Sequence, residues 1–244
     1  MRLANCFLVI IDISGYTAFI TQRTVSLLHA EQIITELMES VIDRATHPLV
    51  VNKLEGDAAL LFGENAPGDV VAARDVFAQV KAYFPAFHAC LARLREQRAS
   101  CGCGACSGID QLALKAFVHV GEIAIKKVLQ FEELAGEEVI LIHRLLKNHV
   151  PSRQYVLMTE AARAAANMDA GILSSHREQL EGVGEVELWL TDAATLPFEL
   201  QGSPVAKASS AAAVRLDVFH HLPDKSPAAG AGPLRRFLRW VGRG

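Results

Sequence analysis

Two aspartates, Asp12 and Asp57, each sit where an apolar, strand-like run meets glycine turn chemistry: FLVIIDI leads into Ser14-Gly15-Tyr16-Thr17, and Glu55-Gly56-Asp57 forms the tip between two β-prone runs. Carboxylates far apart in sequence but placed alike at strand ends could converge on a hard divalent cation, for which Mg²⁺ is the natural choice. The plain alternative for either residue is a helix cap or a turn former. A second constellation is Cys101-Gly-Cys103-Gly-Ala-Cys106, three thiols within six residues with glycines that permit a tight wrap. Three thiolates suit a soft tetrahedral ion such as structural Zn²⁺ once a fourth ligand is found, and His88, Cys90 or His119 could supply it. A loop of reduced thiols and a redox sensor are the competing readings. Cys6 and Cys90 otherwise read as buried thiols. His119 reads as a satisfied core or edge histidine, and His220 and His221 receive no role.

The elements that must position these residues alternate between strand and helix. Residues 7 to 13 form an unbroken apolar run, as expected for a strand covered on both faces, and 25 to 44 carry apolar residues at helical spacing up to His47-Pro48. LVVNKLEGDAALLFG reads as a hairpin with Asp57 at its tip, and 69 to 97 as a long helix with Pro85 as its point of breakage. The strand LKAFVHVGEIAI follows the cysteine loop. Helices are expected at 136 to 148 and 159 to 168, with strands at 155 to 158 and 183 to 190. The pattern is that of an α+β layer in which helices pack on a sheet containing a hairpin. No internal repeat is present. After residue 200 Ser, Ala, Pro and Gly dominate and flank VRLDVFHHL; the end, PLRRFLRWVGRG, reads as a short basic amphipathic helix.

DISGYTAFI (12 to 20) resembles the first-strand motif of the class III nucleotide cyclases, and KLEGDAALLF (53 to 62) resembles their second-aspartate hairpin. The resemblance runs from residue 5 to about 192, and the sequence resembles a bacterial branch with a Cys-rich loop before the central strand. It implies a ferredoxin-like βαββαβ sheet, a cyclase-like domain over 1–192 and a C-terminal extension over 193–244. It further implies that Asp12 and Asp57 hold two divalent ions, Mg²⁺ or Mn²⁺, that bind the triphosphate and activate the ribose 3′-hydroxyl. Lys53, in the K-x-x-G-D pattern, falls on the lysine that reads adenine, and Glu133 on a second base-reading position. Without the motif, a lone lysine in a hairpin reads as solvated decoration.

A third motif is matched in part by LAGEEVILIHRLLKN (134 to 148): Gly136 opens a helix, and Arg144 falls on the arginine that stabilises charge on phosphate oxygens. Arg144 is otherwise a surface or salt-bridge residue. Ile140 stands where the family carries an asparagine that positions the ribose. In the family the site forms between subunits, so Asp12 and Asp57 of one chain would face Lys53 and Arg144 of a second in a homodimer.

The resemblance implies a protein that converts ATP to cyclic AMP and pyrophosphate. The alternative is a catalytically degenerate cyclase-homology module that binds nucleotide or metal as a regulator. A formal charge of −3 gives no electrostatic reason to expect nucleic acid. No apolar run is long enough to span a membrane, and the cysteine usage suits a reducing compartment, so a cytoplasmic protein is expected. The arginine-rich end offers at most weak contact with a membrane surface.

Overall fold

In the computed structural model, which describes residues 1–21, 26–66 and 68–198, the first strand β1 (Arg2–Ser14) runs through the middle of an eight-stranded sheet. Its apolar run is buried on both faces. Phe7, Val9, Ile11 and Ile13 enter one core, and Cys6, Leu8 and Ile10 enter another on the opposite face. Alternation with a period of two forces this division, and explains why the segment reads as continuously hydrophobic.

After a short helix α1 (Tyr16–Ile20) and a long one, α2 (Leu27–Ile42), the chain returns through the hairpin β2 (Val50–Glu55) and β3 (Ala58–Glu64). Helix α3 (Val70–Gln97), a short α4 (Gly104–Ser107) and strand β4 (Ala113–Val128) follow. β5 (Phe131–Ala135) doubles back on the end of β4, and α5 (Glu137–Leu145) then leads to β6 (Tyr155–Thr159). Helix α6 (Glu160–Ala165) and the hairpin β7 (Ser174–Leu180) and β8 (Gly184–Thr191) complete the described elements.

The strand order is β2-β3-β1-β4-β6-β8-β7, with β5 paired to β4 alone. β1 is antiparallel to both β3 and β4, and β2 to β3. The first four strands and α2 and α3 therefore form the expected βαββαβ unit, extended by β6, which runs parallel to β4 after the α5 crossover. α2 and α3 cover one face with Ile33, Leu37, Val41, Phe77 and Phe87, while α5 covers the other with Val139, Ile142 and Leu145.

Pro85 does not break α3, which is continuous over 28 residues. The proline lies on the exposed side, where only one backbone donor is lost, while Tyr83, Phe84 and Phe87 anchor the buried side across the same turn. β5, β7 and α4 were not anticipated from the sequence. Beyond β8, Ala193 and Leu196 are buried in the main core, and the Phe198 ring lies 5.9 Å from that of Phe77. VRLDVFHHL, the two histidines within it, the linker-like stretches and the basic end of the expected 193–244 extension lie outside the described residues. Among the described residues no helix is long and apolar enough to cross a membrane.

Candidate functional site

Strand register brings the two aspartates together. Asp12 pairs across the sheet with Ala58, the residue after Asp57, and the Ile13 amide donates to the Asp57 carbonyl at 3.0 Å. Gly56, with φ of 67°, makes the tight turn that presents Asp57 beside the end of β1. Both carboxylates line one depression of about 390 Å³ together with Lys115 and the Ser14–Ala18 turn.

Lys115 lies opposite Asp12 on β4, and its Nζ is 2.9 Å from Asp12 Oδ2. The Asp57 carboxyl is held above the usual carboxylate range, first by burial and then by the nearby charge of Asp12. Two partly buried carboxylates side by side form a site that attracts cations, and the Lys115 ammonium already answers half of it. Gly15, with φ of 94°, turns the chain from β1 into α1; a Cβ there would come within 2.8 Å of the Gln111 carbonyl and collide with the Arg153 guanidinium. Arg153 donates to the same Gln111 carbonyl, so a second cation stands at this turn. Neither Lys115 nor Arg153 was singled out from the sequence, because cross-strand register and loop packing leave no local signature.

Lys53, Glu133 and Arg144 do not line this depression. Lys53 Nζ pairs with Glu55 Oε1 at 2.9 Å, and the other Glu55 oxygen lies 3.1 Å from His143 Nε2 on α5. Asn52, beside Lys53, donates to the carbonyl of Glu132, beside Glu133, at 3.1 Å. β2, β5 and α5 thus gather the three residues along one side of the domain. Arg144 bonds Glu181 at 3.2 Å and borders a broad cleft of about 760 Å³ with Gly136, Ile140 and His143. Ile140 is 56% exposed there, an apolar side chain facing open solvent.

The three clustered cysteines converge, and their companion is His29, not His88, Cys90 or His119. His29 stands in the first turn of α2, and its Nδ1 lies 3.5, 3.4 and 3.6 Å from the sulfurs of Cys101, Cys103 and Cys106. Cys90 instead contacts the Glu36 carbonyl, and His119 is buried between Thr159 Oγ1 and Glu138 Oε2. Cys103 caps α4, and its sulfur accepts from the Cys106 amide at 3.5 Å, which with His29 and the neighbouring thiols lowers its pKa to about 6. Cys106 is pushed up to about 12 by burial and by the adjacent sulfurs. The sequence supplied the thiols, but a histidine more than seventy residues upstream carries no spacing signal that ties it to them.

Comparison with solved structures shows the fold. The chain superposes on the guanylyl cyclase Cya2 with a TM-score of 0.61 at 15% identity, covering 78% of this chain and 92% of that one. The adenylyl cyclase CyaB from P. aeruginosa gives 0.59 at 13%, covering 78% and 95%. A class III adenylyl cyclase-like ATP-binding protein from Pseudomonas aeruginosa gives 0.54 at 14%, covering 67% and 35%. The fold is therefore that of the class III nucleotide cyclase domains. At the level of sequence, "Uncharacterized protein Rv2561/Rv2562" of Mycobacterium tuberculosis (strain ATCC 25618 / H37Rv) is 34% identical over 167 residues, 66% of this chain and 74% of the relative. A family profile described as "Protein of unknown function (DUF2652)" matches residues 34–155, half of the chain, so this chain belongs to the DUF2652 family.

Proposed function

We propose that this protein is a nucleotide cyclase that converts ATP to cyclic AMP and pyrophosphate in a site shared between two copies of the chain. The observation that carries the reading is the convergence of Asp12 and Asp57 in one depression, with Lys115 resting on Asp12. The donor set fits the hard ion that the fold family uses: two carboxylates offer only oxygen, and an ammonium already acts there as a stand-in cation. Bound Mg²⁺ or Mn²⁺ would supply Lewis-acid polarisation of the phosphate oxygens and of the attacking hydroxyl.

The chain's own residues would do the rest. Asp12 and Asp57 would hold the cation, while Lys115 and Arg153 place positive charge beside the same turn. Lys53, fixed by Glu55, and Glu133 lie on the side that would read the base, and Arg144 would donate two hydrogen bonds to the α-phosphate as charge builds during attack by the 3′-oxygen. Arg144 lines a different cleft from the aspartates and Lys53 lies outside their depression, so a second copy is what would unite them. Exposed Val128, Leu129 and Phe131 at the β4–β5 tip and Leu54 on β2 offer apolar surface for that contact.

A second reading, nucleotide binding without turnover, is favoured by Ile140, which offers no hydrogen bond to a ribose. A solved relative of this fold is itself described as cyclase-like and ATP-binding. The deciding assay is cyclic AMP formation by the purified full chain with ATP and Mn²⁺ or Mg²⁺, beside Asp57→Ala and Arg144→Ala. Each variant alone should be inactive. A mixture of the two should recover part of the activity, because a heterodimer keeps one intact shared site. Failure of wild type to turn over ATP, with calorimetric binding retained, would move the assignment to the second reading.

A further inference from the structure

His29 Nδ1 is approached at nearly equal distances by three sulfurs, 3.4 to 3.6 Å away. Hydrogen bonding does not account for this, because an imidazole nitrogen has one lone pair and can accept one S–H at a time. Tetrahedral zinc does account for it. With Zn–S near 2.3 Å and Zn–N near 2.0–2.1 Å, each N···S edge of the tetrahedron is roughly 3.6 Å. The four donor atoms all lie within 4.8 Å of one another, as ligands of one ion must.

We propose that His29, Cys101, Cys103 and Cys106 form a structural Zn²⁺ site. The supporting geometry is of the kind such sites carry: the Cys106 amide points at the Cys103 sulfur, and Gly102 has open space around its α-carbon where the loop bends between ligands. Four protein donors leave no open position for substrate, which separates a structural from a catalytic zinc. The ion would tie the first turn of α2 to α4 and to the loop after α3. α1, which borders the Asp12 depression, contacts both α2 and α4 and is bonded to α2 through Tyr16 Oη and Glu31 at 3.1 Å. The zinc site thus braces the turn that follows Asp12, although its existence does not depend on the cyclase reading.

The test is metal content and cobalt spectroscopy on the full chain. Protein purified without chelator should carry one equivalent of zinc by elemental analysis. After removal of zinc under reducing conditions, Co²⁺ should bind stoichiometrically with intense tetrahedral d–d bands and a thiolate-to-cobalt charge-transfer band, and Zn²⁺ should displace it. His29→Ala should weaken Zn²⁺ binding by about two orders of magnitude or more. His29→Cys should keep tetrahedral Co²⁺ with the spectrum shifted toward four thiolates, a gain that holds even where a cysteine substitution impairs folding. A folded chain that binds neither ion tightly, or a His29→Ala variant with the wild-type cobalt spectrum, would overturn the proposal. Neither readout involves ATP, so a failed cyclase assay leaves this result standing.

Discussion

Lys115 Nζ sits 2.9 Å from Asp12 Oδ2, and the two side chains are only 17% and 15% exposed, so the central strands carry a largely buried ion pair where the proposed cation would bind. Removing one partner of such a pair strands the other charge in a partly desolvated place. Lys115→Met should therefore destabilise the metal-free protein by about 1–3 kcal/mol. The same change removes the ammonium that competes for Asp12, and Mn²⁺ affinity should rise about tenfold. Thermal melts with and without Mn²⁺, together with calorimetric titration, read both effects. Equal Mn²⁺ affinity in both proteins would mean that the lysine does not occupy the cation's place.

The raised pKa of Asp57 has the opposite stability consequence from that of an ion-paired carboxylate. Its folded value lies above the unfolded one, so the folded state favours the protonated form and stability is lost as pH rises through the folded pKa. At neutral pH the ionised group sits uncomfortably beside Asp12. Asp57→Asn should raise the melting temperature by about 1–2 °C at pH 7 without divalent ions. The gain should vanish near pH 4 or in millimolar Mn²⁺, which would neutralise the wild-type pair. A variant that melts below wild type under all conditions would show that the Asp57 carboxylate stabilises the fold directly.

The contrast between what the sequence showed and what it hid follows from the range of each interaction. Asp12 and Asp57 were legible because strand ends, Gly56 and the apolar runs around them are local signals. The βαββαβ order was legible for the same reason, through alternating periods of two and of helical spacing. β7, with the polar sequence SSHREQL, was missed because its burial pattern is mostly exposed and only Glu178 and Leu180 are buried. Lys115 and His29 were missed as site residues because sheet register and helix docking, not neighbours in sequence, bring them to their partners. Lys53, Glu133 and Arg144 were singled out by motif alone, and the contact of β2 with β5 that brings their elements together leaves no local signal in the sequence.

His119 supplies a pH test of the core that is independent of catalysis. It is 4% exposed, with Thr159 Oγ1 at 2.8 Å and Glu138 Oε2 at 2.6 Å. Glu138 reaches it by lying over Gly121, where a Cβ would come within 2.6 Å of the Glu138 side chain. Burial holds the imidazole below its usual pKa, outweighing the opposite pull of Glu138. The unfolded chain takes up this proton near pH 6.5 while the folded one resists, so stability is present above that value and is lost as pH falls toward the folded pKa. Unfolding free energies from urea titrations at pH 7.5 to 5.5 should fall more steeply for wild type than for His119→Gln, by at most about 1.4 kcal/mol per pH unit. Parallel profiles would show that the imidazole keeps an ordinary pKa inside the fold.

Ile140 is where the cyclase reading can be improved by design. It stands in the middle of α5, one turn before Arg144, in the cleft that would receive the ribose, and it is exposed enough that its replacement should cost the fold under about 0.5 kcal/mol. An asparagine there could both donate to and accept from a ribose oxygen, which an aliphatic side chain cannot do. If positioning of the 3′-hydroxyl limits turnover, one hydrogen bond gained only in the transition state corresponds to about 1.4 kcal/mol and a rate increase of about tenfold. Ile140→Asn should then raise kcat for cyclic AMP formation with little change in KM, while Ile140→Ala should not. An asparagine variant that binds ATP but remains as inactive as its parent would shift the weight to a nucleotide-binding role, since the exposed aliphatic side chain one turn before Arg144 would have been replaced without effect.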